Sequence, residues 1–431
     1  MKKKIYRFTV IVFVLIFALL VSCAQKTAPV ETKAEFSAER MMETISLMSA
    51  EDSGRIAGFS GEAKTGDYIH AQFESMGLDV ERQYFPVLAF ACDKVSVELD
   101  SVFEGENIEV KVMTFSAPTP IEGIEAEVIP VGFGAEEDYG NLDASGKIAL
   151  IMRGGEYFGA KAHRAYENGA LAAVIYDPNG DEPISATLGQ PSAIPSVSIS
   201  RSTAVGIEEA IESGKNVTAR IIVDSESRNA MSSNVIAIYD SKDNPDDKYV
   251  VVGAHYDGVD TPAANDNATG TAVIMEIARY LTDMEAELPF DVRFIAFGAE
   301  EIGLLGSEAY TGDLDTDERE VAVAMINYDM VGAGEYFEIL TVEGTDNYDF
   351  IESAKNVLEA MEESPVFSYT DRSDHASFSR IGVQAADIQM SPALHYHTDL
   401  DTIDIVDSEN LIKMCQFGAG MLLDELPGWL D

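Results

Sequence analysis

Five short motifs spread carboxylates and imidazoles along the C-terminal half of this 431-residue chain: His255-Tyr256-Asp257, Asn265-Asp266-Asn267, Glu300-Glu301, Asn327-Tyr328-Asp329 and Tyr396-His397-Thr398. Each holds at least one carboxylate or imidazole, the donor types selected by divalent ions such as zinc. Any one of these residues alone reads most simply as a solvated loop group. Four of the five motifs, however, follow an apolar run that reads as a buried strand, and that repetition points to a shared metal site.

The elements that would position these groups form an α/β pattern from residue 233 onward. Residues 249–254 (Tyr-Val-Val-Val-Gly-Ala) are an unbroken apolar run, as expected of a strand covered on both faces. Further strands are predicted over 292–297, 322–326 and 382–388. A helix over 270–282 carries Val273, Ile274, Ile277, Ala278 and Leu281 on one side, and a final amphipathic helix is predicted over 408–426. In an open α/β sheet, ligands bind beyond the carboxyl ends of the strands. His255 and Asp257, Glu300 and Glu301, Asp329, and His397 all come after such ends.

Upstream, the spacing predicts a helix over 37–48, a loop over 54–58, a helix over 61–76 stopped by Gly77, and a strand over 78–85. Residues 93–223 have a different character, with short β-like runs at 94–99, 108–113 and 125–130. Then come Gly-Lys-Ile-Ala-Leu-Ile at 146–151, an Arg153-Gly154 turn, a helix over 161–167 and Gly-Ala-Leu-Ala-Ala-Val-Ile-Tyr at 169–176. This stretch resembles a protease-associated domain and contains no catalytic set. His163 and His70 read as helix-surface residues.

The first residues read as a targeting segment. A basic start, Met1 to Arg7, precedes an apolar stretch at 8–20 that is short for a membrane span. Leu20-Val21-Ser22-Cys23 looks like a bacterial lipobox, which implies removal of residues 1–22, lipidation of Cys23, a polar tether over 23–36 and an exported, membrane-anchored protein on the extracytoplasmic side. Beyond Cys23 there remain Cys92 and Cys415, so the chain is not a disulfide scaffold. Asp and Glu number 75 against 29 Lys and Arg, which argues against nucleic acid as a partner and favours cationic ligands such as peptide N-termini.

Taken together, residues 233–425 closely resemble the co-catalytic zinc aminopeptidases of the bacterial leucyl aminopeptidase and aminopeptidase Y type, relatives of glutamate carboxypeptidase, glutaminyl cyclase and the transferrin receptor. The family's H-x-D, N-D-N, E-E, D-M-V/I-G and Y-H-T-x-x-D appear without departure at His255–Asp257, Asn265–Asn267, Glu300–Glu301, Asp329–Gly332 and Tyr396–Asp401. The resemblance implies a mixed, mostly parallel central sheet flanked by helices (residues 37–92 and 224–431), with a mainly-β protease-associated domain inserted at 93–223.

Carried over by motif, one zinc ion would be held by His255, Asp266 and Asp329, and a second by Asp266, Glu301 and His397, with Asp266 and a hydroxide bridging. Asp257 would accept the second N–H of His255 and fix its tautomer. Glu300 would serve as general base, and Tyr396 could donate to the developing oxyanion or simply pack. The resemblance also implies a cis peptide bond after Asp266. Substrates would be peptides with a free N-terminus. A glutamate-carboxypeptidase-like activity would need basic residues to hold a C-terminal carboxylate, and no basic cluster accompanies the motifs. Glutaminyl cyclase and an inactive binding protein are the remaining alternatives, and the complete ligand set argues against both.

Overall fold

The computed structural model describes residues 34–50, 54–100 and 108–430, and residues from Phe36 onward form one compact unit. The lipobox and the targeting segment lie outside the described residues. No described helix is long and apolar enough to cross a membrane.

Thirteen strands build the sheet. They are β1 (Asp79–Leu99), β2 (Val110–Val112), β3 (Ile124–Pro130), β4 (Ile148–Met152), β5 (Ala172–Tyr176), β6 (Ser196–Ile199), β7 (Thr218–Tyr239), β8 (Tyr249–His255), β9 (Asp291–Phe297), β10 (Ala322–Tyr328), β11 (Tyr336–Thr341), β12 (Val366–Tyr369) and β13 (Gln384–Ser391). They run in the order β12-β11-β13-β10-β8-β9-β7-β3-β4-β5-β6-β2, with β1 paired to β7. The centre, β13-β10-β8-β9, is parallel throughout. Every residue of β8 is buried, which is why it reads as a continuous apolar run rather than an alternating one. The helix Thr269–Met284 packs on one face of this centre through Val273, Ile274, Ile277 and Leu281, all inaccessible to solvent.

The inserted segment has its own parallel strands, β3 to β6, its own apolar cores and three helices, Glu136–Tyr139, Phe158–Glu167 and Arg201–Glu212. It is tied to the rest by an antiparallel ribbon of β1 and β7, running from Asp79 opposite Ile238 to Leu99 opposite Ala219. The sequence pattern predicts only 78–85 and 94–99 as strand here. The ribbon is one continuous piece because its two halves serve different cores, Val87 and Ala89 on one side and Val97 and Leu99 on the other. Alternation is broken between them, at the irregularity separating Cys92 from Lys94.

The last helix is shorter than its periodicity predicts. It covers Ser408–Gly420, followed by a wider turn at Met421–Glu425 and a tight turn at Leu426–Trp429 that takes in Pro427. Proline lacks the N–H and clashes with the preceding turn, so a regular helix cannot continue through it. Among the described residues, Cys92 and Cys415 are both free thiols.

Candidate metal centre

His255 is the final residue of β8, and Asp257 lies two residues beyond it. Glu300 and Glu301 follow β9, Asp329 follows β10, and His397 lies in the loop after β13. Because β8, β9, β10 and β13 are parallel neighbours, their carboxyl ends deliver these groups to one edge of the sheet. Asp266 reaches the same place from the start of the segment that leads into the helix Thr269–Met284. The peptide bond between Asp266 and Asn267 is cis.

Asp266 sits between the two imidazoles. Its Oδ1 is 3.2 Å from Nε2 of His255, and its Oδ2 is 3.2 Å from Nε2 of His397. His255 Nε2 is also 3.3 Å from Asp329 Oδ1, and His397 Nε2 is 3.0 Å from Glu301 Oε2. The two donor sets, His255 with Asp266 and Asp329, and Asp266 with Glu301 and His397, each bring their ligand atoms within 4.8 Å of one another. A carboxylate with one oxygen facing each imidazole suits a bridging ligand, and three N/O donors on either side suit zinc. The buried Oε1 of Glu301 has no protein hydrogen-bond partner, so it is free to face a cation. The residues present fit a pair of zinc ions.

The electrostatics point the same way. Burial alone would lower the pKa of His255, but the carboxylates of Asp329 and Glu300 outweigh it and raise it well above the ordinary value. The same contest, with hydrogen bonds to Asp266 and Glu301 outweighing burial, pushes His397 up to about 10. Burial would raise Asp266, yet its bonds to His255 and His397 hold it below the usual carboxylate range. Glu300, only 8% exposed, is driven far up by burial, with Glu301, Asp374 and Asp329 adding to the effect. Burial and the charge of Asp266 push Glu301 up to about 7. So concentrated a negative charge recruits cations, either protons or metal ions.

Residues around the donors fix their positions. The carboxylate of Asp257 is 3.7 Å from His255 Nδ1, whereas the Asp257 carbonyl oxygen is nearer, at 3.3 Å. The carboxylate also accepts the backbone N–H groups of Glu300 (3.0 Å) and Glu301 (3.2 Å). Both asparagines beside Asp266 tie its loop to the Asp329 loop. Asn265 Oδ1 accepts from the N–H groups of Gly332 and Ala333, and Asn267 Oδ1 accepts from Met330. Asp401 accepts the backbone N–H groups of Asn265 and Asp266.

Ser373 donates to Asp329 Oδ2 at 2.8 Å and accepts from Asn327, which also donates to buried Asp387. Asp374 stands at the N-cap position of the helix His375–Arg380 but makes no side-chain cap bond. Tyr396 is half exposed and stacks on the His397 ring, with centroids 3.7 Å apart. His395 is exposed. His163 is exposed on its helix, and His70 lies 3.5 Å from Glu74 one turn on.

Sequence reasoning gave no role to Arg55 or Asp387 and did not foresee the contacts of Asn327. Arg55 looks like a loop residue, yet it is 2% exposed and donates to the carbonyls of Met48, Tyr256 and Ala263, bracing the chain behind the site. An arginine flanked by glycine and apolar residues, Gly54-Arg55-Ile56-Ala57-Gly58, was the one available signal.

The profile of peptidase family M28 matches residues 234–420, and that of the PA domain matches residues 124–207. The chain is 34% identical over 398 residues to aminopeptidase YwaD of Bacillus subtilis (strain 168), covering 88% of this chain and 83% of that protein. It is 30% identical over 309 residues to the probable lipoprotein aminopeptidase LpqL of Mycobacterium tuberculosis, covering 69% of this chain and 59% of LpqL. Among solved structures, BSAP, a zinc aminopeptidase from Bacillus subtilis, matches with a TM-score of 0.72 and 32% identity over 92% of this chain and 96% of its own.

Proposed function

This chain belongs to peptidase family M28, with a PA domain inserted, and we propose that it removes N-terminal residues from peptides at a site holding two zinc ions, with Glu300 as general base. His255, Asp266 and Asp329 would hold one ion, and Asp266, Glu301 and His397 the other. When bound, the pair supplies Lewis acidity, which makes a water molecule more acidic and polarises a carbonyl oxygen.

The observation that carries this reading is the position of Asp266, one oxygen toward each imidazole. Glu300 could group with His255 and Glu301 but shares no set with Asp266, and it is held by its backbone N–H to Asp257. A buried carboxyl whose pKa burial raises well above the usual carboxylate range can take a proton from the attacking water and return it to the leaving amine. The free N-terminus binds where the acids are densest, beside Glu300 and Asp329, with Asp374 behind them. Arg55 commits its guanidinium to carbonyls, which leaves it unsuited to clamp a C-terminal carboxylate. Lipidation at Cys23, with the catalytic unit held outside the membrane, is supported by the lipobox and by the name of the relative LpqL.

Zinc analysis of the purified protein, combined with hydrolysis of a panel of amino acid p-nitroanilides, tests this reading. About two zinc ions per chain and release of p-nitroaniline are expected. Zinc binding without any turnover would return the site to a binding role.

A further inference from the structure

A cavity of about 560 Å³ lies between the inserted domain and the catalytic sheet. That volume falls within the roughly 300–1,000 Å³ of pockets that take small organic groups. The ribbon strand β1 contributes Leu88 and Phe90 to its wall, the inserted segment contributes Val112 and Phe115, and the loops after β8 and β9 contribute Val259 and Ile302. The lining is mostly apolar, with Thr114, Thr187 and Asp260 as polar members, and it takes in Glu301, a member of the second donor set. Asp329, Asp374 and His255 do not line it. Phe90 and Phe115 meet edge to face across the junction, with centroids 5.8 Å apart. Phe115 has φ +70°, in the left-handed region that a bulky residue rarely adopts. Such backbone is retained where the surrounding structure holds a side chain in a required place, and it concentrates at ligand-binding positions.

We propose that this cavity is the subsite for the side chain of the substrate's second residue, and that it selects an apolar one. The inference rests on the aminopeptidase reading above. With the N-terminal amine at the acidic Asp329 end, the scissile carbonyl spans the donor sets and the chain beyond it leaves on the Glu301 side. Glu301 is part of the cavity's lining, so the inserted domain becomes part of the specificity machinery.

The test compares kcat/KM for leucinamide, glycinamide, Leu-Gly amide and Leu-Phe amide in the zinc-loaded full chain and in two variants. Phe115→Gly removes the ring while giving φ +70° to the residue best suited to it, and Val259→Asp places a carboxylate in the wall. The parent is expected to prefer Leu-Phe amide over Leu-Gly amide by about tenfold or more, the size of discrimination that an apolar pocket supplies. Both variants should reduce that ratio several-fold while leaving leucinamide hydrolysis unchanged. A parent that hydrolyses leucinamide but treats the two dipeptide amides alike overturns the proposal. So do variants that shift the leucinamide-to-glycinamide ratio instead, because the cavity would then hold the first side chain. Failure of the parent to hydrolyse leucinamide at all would count against the aminopeptidase reading itself, a result distinct from either of these.

Discussion

Asp257 accepts the backbone N–H of Glu300 at 3.0 Å, although the two residues lie 43 positions apart in the chain. The carboxylate expected to orient His255 therefore also holds the residue proposed as general base. Replacing Asp257 by Asn exchanges one acceptor oxygen for an N–H donor, so one of the two N–H groups of Glu300 and Glu301 would face a donor. Activity should fall by about 10–100-fold, the usual cost of losing such a supporting contact. If the loss acts through Glu300, kcat falls with zinc content intact. Loss of zinc would instead assign the effect to His255.

Glu300→Gln keeps the shape of the side chain but cannot take up a proton. Its kcat should drop by at least ~10²-fold, given the ~10²–10⁴-fold contribution of general base catalysis, with zinc remaining near two per chain. A variant short of one zinc equivalent would reverse the assignment of Glu300 and Glu301.

His395 and His397 are separated by one residue, and the structure distinguishes them. His397 points Nε2 at Asp266 and Glu301, while His395 is exposed and its carbonyl accepts from the Thr398 N–H. His397→Ala should abolish activity with partial zinc loss, whereas His395→Ala should cost no more than ~10–100-fold and retain both ions. Parallel zinc analysis of the two variants decides the matter, and the opposite pattern would refute the assignment.

His375 offers a pH-dependent signature away from the donors. It is fully buried, its Nε2 lies 3.1 Å from the Thr370 carbonyl oxygen, and burial pushes its pKa down to about 4. The unfolded chain, with an ordinary histidine near 6.5, therefore binds more protons than the folded chain between pH 6.5 and 4. Stability from this group is complete above pH 6.5 and is lost as pH falls toward 4, by about 1.4 kcal/mol per unit at most. Urea unfolding in the presence of chelator, so that metal release does not contribute, should show a shallower acid slope for His375→Gln than for the parent. Identical slopes would contradict the burial argument.

Much of the site could be read from the sequence because its signals are local. Apolar runs such as 249–254 and 292–297 mark buried parallel strands, and the residue types that follow each run are set by the chemistry of a divalent ion. Through their resemblance to a known family, the motifs pointed to His255, Asp266, Glu301, Asp329 and His397 as ligands without a structure and suggested a role for Glu300, and the fold brings these groups together. Tertiary structure decided what depends on distant chain segments meeting. No local pattern announces that Asp257 holds the Glu300 loop, that Asn265 and Asn267 stitch the Asp266 loop to residues 330–333, or that Arg55 braces the chain behind it. The β1–β7 ribbon escaped periodicity because it passes from one core to another, so no single alternation runs its length. The cavity beside Glu301 exists only once the inserted domain packs against the sheet, since its walls come from six separate stretches of sequence. Ligand chemistry is a property of residue types and can be written locally, whereas shape and hydrogen-bond partners belong to the packed whole.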